Sequence, residues 1–302
     1  MPLAFHTWLK PRLQHHRVRH EGVLGTALEL QLLADNPRSA RTGEAAALAE
    51  IERLEGIFSS FLPTSELSRW QAQGRAVVSL ELRNLLREAE SWMAHTYGAF
   101  NPAVAAVQAL YRQNPRPSEA ERSALQTALQ GPLWRLEGRV AHKLTPLPLT
   151  FNALAKGQIA DRAAQAALGA GRQAVLVNLG GDLRHIGPQG VRVAVTHPFH
   201  PADNAPPLAW LEICNQGVAT SGHTWRGQHL FDPRSARPVA QIAQATVVAP
   251  SAAVADVLST TFCVLEPMLS LALAEVFGVG CLLVEASGQT HSNPRFEQQR
   301  IR

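Results

Sequence analysis

The sequence predicts an α+β fold in a single domain, with mixed or antiparallel sheets flanked by helices. Apolar residues recur at helical spacing over 43–58 and 80–97 in the first half. Strand-like segments then follow one another between residues 174 and 214 without intervening helices, which argues against a regular βαβ alternation. Both halves combine long helices with paired strands, the pattern that an internal duplication would leave.

Local signals place each element in order. Serine or asparagine before an apolar-periodic run predicts a helix start, and glycine after it predicts the end. In the first half we expect strands over 18–33 with a turn at Gly25, helices over 43–58, from Ser65, over 80–97, from Asn101 and over 118–129, a hairpin over 133–144 and a helix over 156–168. In the second half we expect strands over 174–179, 183–187, 191–196, 208–214, 245–250 and 280–286, and helices over 251–264 and 267–277.

The composition is typical of a globular protein, with 46% apolar and 17% charged residues among 302. Cys214, Cys263 and Cys281 have apolar neighbours and form no paired framework, so we expect free thiols in a reducing compartment. Basic residues run together only between Arg12 and His20, and aromatic residues make up 6%. A nucleic-acid surface would need a longer basic stripe with aromatics, so we expect no nucleic-acid partner.

The start of the chain and its most apolar stretch bear on location. Residues 1–16 lack the pattern of a signal peptide, and we assign them to a basic, flexible arm. Acidic residues interrupt the apolar sequence between Val247 and Ala286 before it reaches the ~18 uncharged residues of a membrane span. We therefore expect a cytoplasmic protein with no membrane insertion, a folded domain over 17–290 and a polar tail over 291–302.

Asp256 and Thr260 are the first candidates for chemistry. They lie four residues apart in an apolar predicted helix, which puts both oxygens on one helix face. A carboxylate in such surroundings needs a partner or a metal, and carboxylate, hydroxyl and carbonyl oxygens together suit Mg²⁺. The alternative is that Asp256 caps a backbone or faces water.

A glycine pair and a lysine are two further candidates for a ligand site. The segment VNLGGDLR (177–184) ends a buried strand in two glycines followed by Asp182, which fits either a close ligand approach or an ordinary β-turn. Lys156 is one of only three lysines and stands at the start of a predicted helix, where an anion is favoured. Its position there is also compatible with chance.

The stretch over 220–239 is dense in polar side chains. It contains His223 and His229, of which His229 is the better candidate for a general acid or base. The alternative is a surface loop in which Asp232 and Pro233 supply turn chemistry.

Several of these segments, in this order, resemble the FAD:protein FMN transferase (ApbE) family. The segments are FSSFLPTSELSRW (58–70), YGAFNPAV (97–104), ALAKGQIADRAA (153–164), VNLGGDLRHIG (177–187), VATSG (218–222), HLFDPRSARPV (229–239) and VVAPSAAVADVLST (247–260). The resemblance covers roughly residues 23–288 and implies that the folded domain is an ApbE-like flavin transferase domain.

The resemblance also implies a reaction and a set of site residues. In the family, FAD binds with Mg²⁺ at its pyrophosphate, a threonine or serine hydroxyl of a partner flavoprotein attacks the FMN phosphorus, and AMP leaves. Asp256 and Thr260 with the Ala153 carbonyl would then hold the metal, and His229 would act as a base or orient the phosphate. The positions that would contact the flavin nucleotide are Leu24, Phe61, Ala99, Phe100, Asn101, Thr150 and Lys156.

The sequence departs from the family pattern at positions near the nucleotide. Asn101 and Thr150 stand where the family usually has aspartate, and Ala236 stands where it has glycine. The two lost carboxylates motivate alternatives to the transferase: a non-catalytic FAD-binding carrier, an FAD pyrophosphatase that yields FMN and AMP, or a homologue that binds no flavin.

Overall fold

An antiparallel sheet of eight strands forms the centre of the fold. The structure is a computed structural model, and it describes residues 13–169, 171–201, 205–222 and 230–301. Its strands are β1 Gln14–Val23, β2 Thr26–Ala34, β3 Arg75–Val77, β4 Trp134–Glu137, β5 Val140–Lys143, β6 Arg172–Leu179, β7 Asp182–Ile186, β8 Val191–Val195, β9 Ala209–Ile213, β10 Gly217–Gly222, β11 Phe231–Asp232, β12 Arg237–Pro238, β13 Ile242–Ala249, β14 Gly280–Glu285, β15 Thr290–Ser292 and β16 Arg300–Ile301. Its helices are α1 Pro37–Phe58, α2 Glu66–Gln73, α3 Leu80–His95, α4 Val104–Gln113, α5 Glu119–Gln130, α6 Asn152–Ala167, α7 Ala252–Phe262, α8 Pro267–Phe277 and α9 Pro294–Gln299.

The order of the large sheet is β1-β2-β6-β7-β10-β13-β14-β15. Strands far apart in sequence meet in it; Leu30 of β2, for example, lies opposite Val177 of β6. Smaller sheets have the orders β16-β9-β8, β3-β5-β4 and β11-β12. Helices and antiparallel sheets together confirm the predicted α+β class, while the internal duplication stays a prediction.

The two faces of β2 show how the layers form. Leu28, Leu30 and Leu32 are buried and belong to the core that α1 and α6 cover. Their neighbours Glu29 and Gln31 point to the opposite face, because side chains alternate along a strand. That opposite face carries polar groups next to a cleft, so the sheet separates a hydrophobic core from the candidate site.

Three helices begin at residues other than those predicted. α1 begins at Pro37 rather than at 43, because Asn36 caps it by accepting a hydrogen bond from the Ser39 N–H at 2.9 Å. α6 begins at Asn152, four residues before the predicted start at Lys156. α4 begins at Val104, since Asn101 accepts from the Ala103 N–H at 2.9 Å within a preceding turn rather than capping the helix.

Both predicted chain ends also need revision. β1 starts at Gln14, so the last residues of the range assigned to a flexible arm belong to the large sheet, while residues 1–12 lie outside the described segments. The predicted polar tail folds into α9 and β16. Phe296 of α9 is completely buried, and β16 pairs with β9. The tail therefore completes the small sheet β16-β9-β8.

The structure shows the state of the three cysteines and the character of the helices. Cys214, Cys263 and Cys281 are all free, which confirms the predicted thiols. Burial raises the pKa of the Cys263 thiol to about 12. Over the described ranges, no helix has both the length and the apolar character that crossing a membrane would require.

The contact between α6 and α7 is unusually close. A Cβ added to Gly157 of α6 would lie 2.5 Å from the carbonyl oxygen of Ala252 and from the Cα atom of Ala253. Beside it, the Asp161 carboxylate accepts hydrogen bonds from the N–H groups of Ala252 and Ala253 at 2.9 and 3.0 Å. Burial raises the pKa of Asp161, and these two hydrogen bonds oppose that shift. The first turn of α7 is therefore fixed against α6.

Replacing Gly157 with alanine is expected to lower the free energy of unfolding by about 1–3 kcal/mol, because the new methyl group must displace backbone atoms. Gly56 in α1 is the matched control: it is exposed and has no atom within 4 Å of an added Cβ. Gly56→Ala should raise the same free energy by roughly 0.5–1 kcal/mol through helix propensity. Urea denaturation of both variants gives the comparison, and equal effects would refute the close-packing argument.

Candidate active site

A cleft of about 1270 Å³ opens where α6 and α7 meet the large sheet. Its walls come from β2, β6, β7 and β10, from α4, α6, α7 and β8, and from the loops around residues 60, 100 and 149. Pockets for small ligands typically measure roughly 300–1,000 Å³, so this cleft has room for an extended ligand. Most predicted site residues line it: Phe61, Ala99, Phe100, Asn101, Thr150, Ala153, Lys156, Asp256 and Thr260.

Asp256 and Thr260 lie on the face of α7 that borders the cleft. Asp256 is only 3% exposed, and one of its carboxylate oxygens accepts a hydrogen bond from the Gly157 N–H at 3.3 Å. The Thr260 hydroxyl lies 3.0 Å from the hydroxyl of Ser221 on β10, which also contacts Ser259 at 3.0 Å. The predicted i, i+4 relation is therefore realised, with a hydroxyl network behind it.

The chemistry of these donors fits Mg²⁺. Ala153 at the start of α6 lines the same cleft, so the residues expected to supply a carboxylate, a hydroxyl and a backbone carbonyl border one space. All are hard oxygen donors, and only one carries a charge, which suits an ion that keeps water and phosphate ligands. The described residues contain no cluster of three or more His, Cys, Asp or Glu side chains that could hold a metal by themselves.

Lys156 occupies a different place from the one predicted. Because α6 begins at Asn152, Lys156 lies in its second turn and not at its N-terminus. Its ammonium group forms an ion pair with Asp182 at the start of β7, and both residues line the cleft. The lysine therefore faces the ligand space from the side of a helix, with its position held by a buried carboxylate.

The glycine pair before Asp182 has a structural explanation at its first position. A Cβ on Gly180 would lie 2.5 Å from the Thr26 hydroxyl, and the backbone there has a positive φ of 61°. Gly181 has open space around it and also lines the cleft. The turn thus lets β2 come close while leaving one glycine towards the ligand space.

Asn101 lines the cleft, but the protein backbone already uses its side chain. Its amide group donates to the Leu129 carbonyl at 3.2 Å, and its amide oxygen accepts from the Ala103 N–H at 2.9 Å. Thr150 lies nearby, since its N–H donates to the Pro102 carbonyl at 2.8 Å. Thr150 lines the cleft, while its hydroxyl oxygen is buried and has no hydrogen-bond partner in the described part of the chain.

Phe61, Phe100 and Leu24 differ in how exposed they are and in whether they border the cleft. Phe61 is 80% exposed and Phe100 is 5% exposed, so an accessible and a buried aromatic ring both border the cleft. Leu24 is not among the lining residues; it lies in the β1–β2 turn with a positive φ of 51° and packs against the core, while its neighbours Gly25 and Thr26 line the cleft.

His229 and its competitor His223 lie outside the described residues. Their nearest described neighbours in sequence, Gly222 and Leu230, both line the cleft. Beyond this segment, Asp232 accepts hydrogen bonds from the Arg234 backbone N–H and guanidinium, each at 2.9 Å. The Asp232 side chain therefore supplies turn chemistry, as one of the two sequence interpretations expected.

Several residues of the site were not found from the sequence. Ser221 and Gln244 line the cleft from β10 and β13, and Arg192 and Ala194 line it from β8. Asp161 lies outside the lining but holds the first turn of α7. Ser221 and Asp161 lie inside segments that carry the family resemblance, but the role of each of these residues depends on which strands or helices meet in the folded chain.

Comparisons with known proteins agree with this geometry. The ApbE family model matches residues 24–283. An FAD:protein FMN transferase of Rhodobacter capsulatus is 28% identical over 262 residues, covering 80% of this chain and 50% of that protein, so the chain spans about half the length of this relative. An FAD:protein FMN transferase of Haemophilus influenzae is 23% identical over 291 residues, covering 86% of this chain and 84% of that protein.

Solved structures show the same fold. The apo form of the flavinyl transferase ApbE from Pseudomonas stutzeri has a TM-score of 0.81 and 25% identity, covering 95% of this chain and 97% of that chain. The ApbE protein of Thermotoga maritima has a TM-score of 0.82 and 23% identity, covering 96% and 100%. The whole described architecture, and not one part of it, is thus shared with these proteins.

Changing Asn101 to aspartate is expected to lower the free energy of unfolding by about 1–3 kcal/mol, because the buried Leu129 carbonyl loses its donor and faces a carboxylate. Asn215→Asp is the control: Asn215 is exposed, and the oxygen that accepts from the Gly187 N–H would remain. Thermal or urea unfolding measures both. A neutral Asn101→Asp would mean that this hydrogen bond contributes nothing to the loop.

Proposed function

The chain belongs to the ApbE family, and we propose that it is a Mg²⁺-dependent FAD:protein FMN transferase. It would attach FMN through a phosphoester to a threonine or serine of a partner flavoprotein and release AMP. The observation that carries the proposal is that Asp256, Thr260, Ala153 and Lys156 all line one cleft large enough for a dinucleotide. The names of the curated relatives support the reaction class.

The transfer exchanges the phosphoanhydride bond of FAD for a phosphoester bond to the acceptor. The acceptor hydroxyl oxygen bonds to the FMN phosphorus while the bond from that phosphorus to the bridging oxygen breaks. The bridging oxygen leaves with AMP, and the hydroxyl proton passes to a base, for which His229 is our candidate. Phosphoryl transfer needs mainly positioning and charge stabilisation, which a rigid cleft can supply.

Each group would have a separate task. Asp256, Thr260 and the Ala153 carbonyl would hold Mg²⁺, which when bound offsets pyrophosphate charge and stabilises the leaving AMP. Lys156 would orient a phosphate oxygen from its position beside Asp182. Thr150 would lie beside the nucleotide as a lining residue, and Phe61 and Phe100 offer aromatic surface near the flavin or adenine ring.

The direct test incubates the purified protein with FAD and MgCl₂, with and without a candidate acceptor flavoprotein, and measures AMP. AMP that appears only with acceptor, together with a fluorescent flavinylated band, is the expected result. AMP without acceptor would identify an FAD pyrophosphatase instead. Tight FAD binding in a fluorescence titration with no AMP in either reaction would identify a carrier, and both of these outcomes would overturn the transferase.

Asp256→Asn is expected to lower acceptor-dependent AMP release by about 100-fold or more, because the amide cannot supply the charged metal ligand. It keeps an oxygen that can accept from the Gly157 N–H, so the fold should remain. Mg²⁺ titration of FAD fluorescence gives a second readout and should shift to higher metal concentration. Glu90→Ala on the exposed side of α3 is the control for loss of an acidic residue. An unchanged Mg²⁺ dependence in Asp256→Asn would remove Asp256 from the metal site.

A further inference from the structure

Strand β8 lines the cleft in an unusual way. Arg192, Val193 and Ala194 are consecutive, and all of them line it. A strand that turned one side-chain face to a cavity would contribute only every second residue. It is therefore the long edge of β8 that borders the cleft, and with it the backbone of the strand.

That edge is open in the described part of the chain. The sheet order is β16-β9-β8, so β8 is a terminal strand and pairs with β9 alone there. Val195 directs its carbonyl towards β9, where it accepts from the Leu208 N–H at 2.8 Å, whereas the next carbonyl, that of Thr196, accepts from the Gln244 side chain at 3.0 Å. Since backbone groups of successive residues alternate between the two edges, Arg192 and Ala194 direct theirs away from β9.

A series of neighbouring residues leads from the open edge of β8 to the candidate metal site. Gln244, which holds the end of β8, lies opposite Gly222 in the pairing of β13 with β10. The neighbouring residue Ser221 has its hydroxyl 3.0 Å from that of Thr260. A chain segment that lay along β8 would therefore run beside the corner where Asp256 and Thr260 meet the cleft.

We propose that the open edge of β8 binds an extended segment of the acceptor protein as an added β-strand, which presents the acceptor hydroxyl to the cleft. This inference rests on the proposed transferase function. Unpaired strand edges recognise peptides through main-chain hydrogen bonds, which give affinity with little dependence on sequence. The single methyl group of Ala194 leaves room for a close approach along this edge.

The charge of Arg192 and the alternation of side chains along β8 would make the binding of an acceptor segment selective. Arg192 and Ala194 are both exposed and, two residues apart, share one face of β8, opposite the buried side chains of Val193 and Val195. In a paired segment the hydroxyl residue and the residues two positions from it would share one face as well. The guanidinium of Arg192 then favours an acidic side chain two positions from the hydroxyl residue, within the reach of a diagonal pair. The expected acceptor segment is thus extended, free of proline on the pairing side, and acidic near the hydroxyl.

Ala194→Pro tests the added strand, because it removes the N–H that faces the cleft from a position where an edge strand tolerates proline. Using the acceptor flavoprotein with which the wild-type protein releases AMP, we expect at least a tenfold loss of kcat/KM for acceptor, mainly through KM. The affinity for FAD should stay within twofold of wild type. Transfer by Ala194→Pro at the wild-type rate would overturn the proposal.

Thr290→Pro is the matched control. Thr290 lies in the terminal strand β15, where Gln289 and Asn293 bond towards β14 and Thr290 therefore faces outward, and it does not line the cleft. It should leave transfer unchanged, and an equal loss in both variants would attribute the effect to general damage and refute a role for β8.

Hydrogen exchange of the wild-type protein decides the matter if Ala194→Pro does not fold. Adding acceptor should slow exchange of the Arg192 and Ala194 amides at least tenfold, and protection confined to other segments would overturn the proposal. A wild-type protein that transfers no FMN to any acceptor would instead refute the function itself, so the two failures can be told apart.

Discussion

The candidate site depends on the close contact between α6 and α7. Gly157 lets the helices approach, and Asp161 accepts hydrogen bonds from the first N–H groups of α7. Gly217 of β10 also lets the first turn of α7 come close, since a Cβ there would lie 2.3 Å from the Ala252 nitrogen. This contact brings Asp256 beside the Gly157 N–H and turns Thr260 to the cleft. None of the residues that fix α7 needs to touch a ligand, yet the place of both α7 candidates follows from them.

The charged side chains of the cleft bear on the role of the proposed metal ion. The ammonium group of Lys156 is already engaged by Asp182, and Asp256 adds a second carboxylate. In the described part of the chain, the lining as a whole carries Lys156, Arg112 and Arg192 against Asp182, Asp256 and Glu29, so it offers a pyrophosphate no excess of positive charge. On the proposed function, a divalent cation held by Asp256 would offset the charge of a bound pyrophosphate, which links the proposed metal to the proposed substrate.

Individual helices and strands were predicted from the sequence far better than the contacts between them. α8 has the predicted bounds, and the helix predicted over 118–129 and the hairpin predicted over 133–144 both formed, because each depends on neighbouring residues. The i, i+4 spacing likewise put Asp256 and Thr260 on one helix face, and both line the cleft. Lys156 was misplaced because the alanine-rich start of α6 extends further than its periodicity indicates. Ser221 and Asp161 were missed because strand order and helix packing, which create their roles, leave no mark in a local sequence window.

Asn101 shows why a departure from a family pattern need not remove a site. Its amide group donates to the Leu129 carbonyl at the end of α5, a bond that an aspartate could not make. The asparagine thus connects the loop at Phe100 to the end of α5 and helps to shape the cleft that it lines. Ala236, in place of the family's glycine, likewise sits buried with a positive φ of 51°, a strained conformation that the surrounding packing maintains. In both cases the substituted residue has a structural role in the fold, and the candidate metal ligands Asp256 and Thr260 line the cleft from a different element, α7.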